Sequence, residues 1–235
     1  MTTPTNLELL AAPRPLIPFG ADLNGAPAYL ERRNILTAGA TGTGKTTTLR
    51  HVAAVAAAQN DLLYVIDIDT DGAYTFTKKH AHGLAYTWDD AARQLEIIAD
   101  HARRRSDLAH KHHVNEFERI PAYNRPERII LIVDKLDQIL HTHTSDGSYE
   151  GARLAEVQTR VRLLIRELWA VGTDHGIIVA AAVENDTLVD ALTTPDSDHT
   201  TFTLTGEPGT GRLTTANSTG NGFNTRLVTV PVTSD

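Results

Sequence analysis

An α/β fold with a mostly parallel sheet, helices on both faces and a C-terminal β-hairpin at the sheet edge is what this 235-residue sequence predicts. Three observations carry the expectation. Short runs rich in Ile, Leu and Val alternate with longer stretches of helical periodicity, the order that lays parallel strands under helical layers. The runs "LLYVIDI", "RIILIVD" and "GIIVAAA" are near-continuously apolar, as strands buried on both faces are. A glycine-rich stretch, "GATGTGKT", sits between a strand-like and a helix-like segment, where such stretches make tight backbone loops.

Taken in order, "NILTAG" reads as a strand from Asn34 to Gly39, followed by a helix from Thr46 to Ala58. Leu62–Ile68 is the next strand. Trp88–His113 reads as a long helix with Asp89 or Asp90 placed to cap its start, since short acidic side chains accept from the free N–H groups of a first turn. Arg128–Asp134 is a buried strand. Leu154, Val157, Val161, Leu164, Ile165 and Leu168 recur at helical spacing, so Arg153–Val171 is expected to be amphipathic. Gly176–Ala182 supplies another central strand. From Thr193 onward Thr, Gly and Asn dominate, and "TFTLTG" and "TRLVTVPV" read as strands flanking a turn-rich stretch.

Composition narrows the classes. The length fits one large domain, and 41% hydrophobic with 22% charged residues is the balance of a globular chain. No apolar run approaches the ~20 residues of a membrane helix, and the N-terminus lacks a basic region followed by an apolar stretch; the cytoplasm is the expected location. The absence of cysteine excludes disulfides and thiolate metal sites. A formal charge of -7 disfavours a uniformly basic surface, though a local groove or ring pore could still hold a nucleic-acid backbone. Residues 1–15 are expected as an N-terminal extension to a single domain spanning 16–235.

The chemistry sits in Gly39–Thr46, which matches G-x-x-x-x-G-K-[ST]. Glycines let the backbone wrap a polyphosphate with N–H groups turned inward; Lys45 can reach the β- and γ-phosphates and the Thr46 hydroxyl can ligate Mg²⁺. The nucleotide-binding set is therefore Gly39, Thr41, Gly42, Thr43, Gly44, Lys45, Thr46 and Thr47, with ATP and Mg²⁺ as the expected ligands. Asp134 ends a later apolar strand, where an aspartate would hold the magnesium, so Thr46 and Asp134 form the expected metal pair and Lys45 and Asp134 the expected catalytic pair. The bland alternatives are a glycine-rich turn that binds nothing and a surface aspartate capping a turn. The residue after Asp134 is Lys135, where the additional-strand ATPases keep a glutamate that polarises the attacking water. A lysine is no base at neutral pH unless its pKa is strongly lowered, so nucleotide binding is expected to survive and hydrolysis to be weakened. Glu184 and Asp137 are possible substitutes, although neither stands at the expected spacing.

These residues resemble the FtsK/SpoIIIE family of DNA-translocating ATPases. The likeness rests on "LIPFGADLNGAPAYLERRNILTAGATGTGKTTTLR", on Asp67 in "VIDID", on "ARRRSDLAHKHHVNEFERIPAYN" and on "IRELWAVGTDHGIIVAAAVEN". It runs from about Leu16 to Val183, and more loosely to the end. The resemblance implies a RecA-like P-loop NTPase core that opens with a short hairpin, and it places the family's strand-end glutamine, which senses the γ-phosphate, at Ala182. Two polar groups of the hydrolytic machinery would then be missing together.

The implied function is ATP-dependent DNA translocation, transfer or segregation, with double-stranded DNA as partner and a homo-oligomeric ring as assembly. The competing reading is a non-hydrolysing adaptor that binds a protein partner, such as a partner ATPase or a secretion or conjugation component, as degenerate modules of type VII secretion ATPases do. A small-molecule kinase is weaker, because no lid or substrate-pocket signature follows the phosphate loop. Arg103, Arg104, Arg105 and Lys111, with neighbouring histidines, form the densest basic patch, read first as a solvated helix face. Arg160, Arg162 and Arg166 are arginine-finger candidates, and ordinary surface arginines otherwise. The histidines of "HKHH", "HAH" and "HTH" lack the spacing of a zinc site.

Overall fold

The computed structural model describes residues 16–22, 24–31, 33–68, 72–141, 148–184, 199–204, 210–216 and 224–229. The expected extension, 1–15, lies outside them. The strands are β1 (Leu16–Asp22), β2 (Pro27–Glu31), β3 (Asn34–Ala38), β4 (Leu62–Ile66), β5 (Ala81–Ala85), β6 (Ile129–Val133), β7 (Ile177–Val183), β8 (His199–Leu204), β9 (Thr210–Ala216) and β10 (Asn224–Thr229). The helices are α1 (Lys45–Ala58), α2 (Trp88–Lys111), the single-turn α3 (Leu136–Leu140) and α4 (Tyr149–Val171). Among the described residues ten strands join one sheet in the order β2-β1-β10-β9-β8-β3-β7-β6-β4-β5. From β8 to β5 the neighbours are parallel, giving six parallel strands.

The continuous apolar runs have a plain cause, because successive side chains of a strand point to opposite faces and both faces are covered. On one face Leu49, Val52, Ala53 and Ala56 of α1 pack on Ile35, Leu63, Val65, Ile130, Ile132 and Ile178. On the other, Leu95 and Ile98 of α2 and Val161, Ile165, Leu168 and Trp169 of α4 pack on Leu36, Tyr64, Leu131, Val133, Val179 and Ala181. Asn34 stitches the layers: its amide donates to the Trp169 carbonyl at 2.6 Å and its side-chain oxygen accepts from the Val179 N–H at 3.0 Å.

Several boundaries differ from the sequence expectation for local reasons. The cap of α2 is Thr87, whose side chain accepts from the Asp90 N–H at 3.1 Å; Asp89 and Asp90 lie inside the first turn, where their charges still favour the helix dipole. Helix α4 begins at Tyr149, four residues earlier than expected, because Ser148 caps it through the Gly151 N–H at 2.9 Å. Strand β5 was not anticipated, since "AHGLA" carries no apolar run; it needs Gly83, where a Cβ would lie 2.8 Å from the Tyr64 ring and 2.9 Å from the Gln94 amide. The C-terminal hairpin is formed by β9 and β10 beside the parallel strands. Strand β9 lies within the stretch read as turn-rich, and the outermost positions on that flank go to the β1–β2 hairpin, whose β1 pairs with β10.

The basic patch must be redrawn. Arg105 is only 3% exposed. Its Nη1 donates to the carbonyls of His175 at 2.9 Å and Gly176 at 3.0 Å, its Nη2 donates to the Glu127 carbonyl, and the guanidinium lies 5.2 Å from the Phe117 ring centroid. Burial pushes its pKa down to about 10, against the smaller opposing pull of Glu127 and Tyr64, so it stays charged at neutral pH. Arg103 and Arg104 remain exposed and pair with Asp100.

Arg105 thus fastens α2 to the chain entering β6 and β7. Replacement by Ala would leave buried carbonyls without donors, and the Arg105→Ala variant is expected to lose about 2–4 kcal/mol, read as a lower urea midpoint at unchanged slope. Arg105→Lys should recover a minor part, because an ammonium lacks the planar fork that reaches several carbonyls together.

Candidate nucleotide and magnesium site

The three strands that end at the site are β3, β7 and β6, adjacent and parallel, with β7 in the middle. The loop after β3 turns back into α1 at Lys45. Gly42 and Gly44 have φ of +85° and +99°, a region open to glycine but strained for other residues. At Gly39 a Cβ would come within 2.7 Å of the Thr43 hydroxyl and 3.0 Å of Leu204. The loop therefore keeps the bare, inward-curling backbone that a polyphosphate needs.

Lys45 lies over this loop, donating to the carbonyls of Gly39 at 2.7 Å and Ala40 at 3.0 Å. Thr46, the next residue, points its hydroxyl at Asp134 and donates to Oδ2 at 2.9 Å. The same Oδ2 accepts from the fully buried Tyr74 hydroxyl at 3.1 Å, and Oδ1 accepts from the Lys135 N–H at 2.9 Å. Asp134 is 4% exposed. A hydroxyl and a carboxylate meeting beside a phosphate loop are the hard oxygen donors that magnesium takes, so Thr46 and Asp134 suit the ion assigned to them. Asp67, one residue beyond β4, stands beside Asp134 across the parallel ladder, since Ile66 pairs with Val133. Thr47, like Lys45 and Thr46, is half-buried at the start of α1; of the loop before it, Gly39, Thr43 and Gly44 are half-buried and Thr41 and Gly42 exposed.

Lys135 adopts φ 54° and ψ 48°, a left-handed conformation that aims its N–H back at Asp134 and starts α3. The two carboxylates set aside on spacing both face the loop. Glu184 follows β7 directly, and its Oε1 accepts from the Thr41 hydroxyl at 2.5 Å. Asp137, in the first turn of α3, has a pKa raised above its ordinary 3.8 chiefly by burial and further by the charge of Glu184, against the pull of its own backbone N–H, Lys45 and His141. One of its oxygens is enclosed with no hydrogen-bond partner.

Ala182, where the glutamine was expected, is inside β7, paired with Thr37 and fully buried. The residue that leaves this strand beside the phosphate loop is Glu184, two positions on, because β7 runs through Val183 before it clears the sheet. Tyr74 had no signature in the sequence: it follows the short Gly72 turn, and tertiary contact alone brings it to Asp134. Of the finger candidates, Arg160 pairs with Glu96 of α2, Arg162 donates to the Thr159 hydroxyl and the His141 carbonyl, and Arg166 is exposed. Among the described residues no group of three or more His, Asp or Glu is placed to hold a metal ion, and no helix is long and apolar enough to cross a membrane.

This architecture and phosphate loop form an α/β fold, with a six-strand parallel sheet and flanking helices, that matches the structures of FtsK-like ATPases. A family model described as the type IV secretion-system coupling protein DNA-binding domain matches residues 21–111. No curated protein matches the chain. Among solved structures, the pCW3 conjugation coupling protein TcpA, determined as a monomer with ATPγS, superposes with a TM-score of 0.76 at 14% identity, over 98% of this chain and 69% of that one. The cytoplasmic domain of the Thermomonospora curvata type VII secretion ATPase EccC matches at a TM-score of 0.67 and 17% identity, over 94% of this chain but 26% of that one. ATPases 2 and 3 of EssC from Geobacillus thermodenitrificans match at 0.65 and 13%, over 94% of this chain and 45% of theirs. At these identities the likeness is one of fold. The chain spans less than half the length of the secretion ATPases it matches.

The raised pKa of Asp137 gives a signed expectation. A carboxyl raised in the folded state stabilises the fold fully below its ordinary pKa and loses that contribution as pH rises through the folded value. Above its ordinary pKa the buried carboxyl of Asp137 is therefore a burden that Asn relieves. Asp137→Asn is expected to melt higher than the natural protein at pH 7 without nucleotide, and the gap should close as the buffer approaches pH 3.8; a gap independent of pH would contradict the burial argument.

Proposed function

We propose that residues 16–235 form one FtsK-like ATPase domain that binds ATP with Mg²⁺ and acts in DNA transfer or translocation, with hydrolysis slowed by Lys135. The observation that carries this reading is the Thr46–Asp134 hydrogen bond beside a glycine loop bridged by Lys45. It joins the two residues that would hold magnesium. Loop N–H groups and Lys45 would take the phosphates, while Thr46 and Asp134 would hold the ion. Bound magnesium would supply charge neutralisation at the phosphate oxygens. Lys45, at present satisfied by two loop carbonyls, would exchange them for phosphate oxygens, a replacement of like interactions that adds charge assistance.

The likeness to a coupling-protein DNA-binding domain model and to a conjugation coupling protein supports DNA as the partner; a homo-oligomeric ring in the cytoplasm completes the proposed working form. A second reading is a nucleotide-bound adaptor that recognises a protein segment. It is favoured by Lys135 and by the similarity to EccC ATPases 2 and 3, which were solved in complex with a signal sequence peptide. Turnover stimulated by duplex DNA supports the first role; nucleotide-dependent peptide binding without DNA affinity supports the second.

Calorimetry with ATPγS and Mg²⁺ tests the shared core of both. The natural protein is expected to bind, Lys45→Ala to lose most affinity, and Asp134→Asn to lose the magnesium dependence; equal binding by all three would place the nucleotide elsewhere. Lys135→Glu is expected to raise turnover by about 10²-fold, the lower end of what one acid–base group contributes, without a matching change in ATPγS affinity.

A further inference from the structure

Position 135 offers no carboxylate, yet the loop is not without one. Strand β7 lies between β3, which leads into the phosphate loop, and β6, which leads to Asp134. Its C-terminal end therefore opens between the two halves of the site. The register makes this specific: Ala38 pairs with Val183, and the Gly39 N–H donates to the Val183 carbonyl at 3.2 Å. Glu184, the next residue, is level with the first loop glycine and is held there by the Thr41 hydroxyl. It is also exposed, so water reaches it. Asp137, in the first turn of α3, feels the charges of both Glu184 and Lys45.

We propose that Glu184 is the proton acceptor for the hydrolytic water, in place of the carboxylate that Lys135 displaces. The proposal rests on the nucleotide-binding reading given above. A water oxygen forms the bond to the γ-phosphorus as the bond from that phosphorus to the bridging oxygen breaks. The electron pair of the broken bond leaves with ADP. The proton lost by the water passes to Glu184 and then to solvent. Asp137 is a positioning residue: its carboxylate, when ionised, disfavours a turn of Glu184 towards α3 and leaves Thr41 as the anchor. Turnover by this route is slow because Glu184 reaches the water from a neighbouring strand end.

The bland role for Glu184 is a loop staple, and Glu184→Gln separates the two. The amide oxygen of Gln can still accept from Thr41, so a staple would be preserved; a proton acceptor would be lost. Steady-state turnover and calorimetric affinities for ATPγS and ADP would be measured on the full chain, with Mg²⁺ and with and without duplex DNA. The expected result is turnover reduced by about 10²-fold or more, with ATPγS bound more tightly relative to ADP because a negative charge beside the γ-phosphate has gone. Asp137→Asn should lower turnover less than Glu184→Gln and shift the same affinity ratio in the same direction. A Gln variant that turns over like the natural protein, or a natural protein with no turnover above the blank, overturns the role of Glu184 while leaving nucleotide binding intact. Failure of both proteins to bind ATPγS would sink the nucleotide reading itself.

Discussion

Parallel pairing of β3, β7 and β6 is the constraint on which the site depends. Parallel neighbours end on the same side of a sheet, so the phosphate loop, Glu184 and Asp134 emerge together although they are far apart in sequence. Open parallel sheets place ligands beyond the carboxyl ends of their strands for this reason. The pairing itself is secured by burial on both faces, with α1 on one side and α2 and α4 on the other. At the opposite end Arg105 holds the segments that enter β6 and β7. A shift there would be carried along the strands to Asp134 and Glu184.

The polar groups at the strand ends are satisfied by one another. Lys45 is bound to loop carbonyls, Asp134 accepts from Thr46, Tyr74 and the Lys135 N–H, and Glu184 accepts from Thr41. Each group is thereby held near the place where a phosphate oxygen or metal ion would need it, which reduces the ordering cost of binding. Asp137 keeps an enclosed oxygen without a hydrogen-bond partner. Stability has been given up at that carboxylate, as is common where a site needs charge.

The lysine after Asp134 also changes the backbone argument. Its left-handed conformation turns the chain directly from β6 into α3 and spends its N–H on Asp134. The turn brings Asp137 towards the loop one residue into α3. Motor and adaptor readings therefore share the same cradle and differ in whether a proton acceptor serves it.

The sequence by itself determined the α/β class, the strand–loop–helix unit at Gly39–Thr46, and the pairing of a loop threonine with a strand-end aspartate. These follow from local physics: apolar runs long enough for a buried strand, glycines that tolerate positive φ, and an aspartate where the run stops. The inward turn of Arg105, the hydroxyl of Tyr74 on Asp134, the strand β5 without an apolar run, and the approach of Glu184 and Asp137 to the loop were decided by tertiary structure. Each depends on contacts between segments distant in the chain. The family resemblance set the strand-end glutamine at Ala182 and spacing dismissed Glu184, because two residues along a strand are invisible until the register with β3 says where the sheet stops.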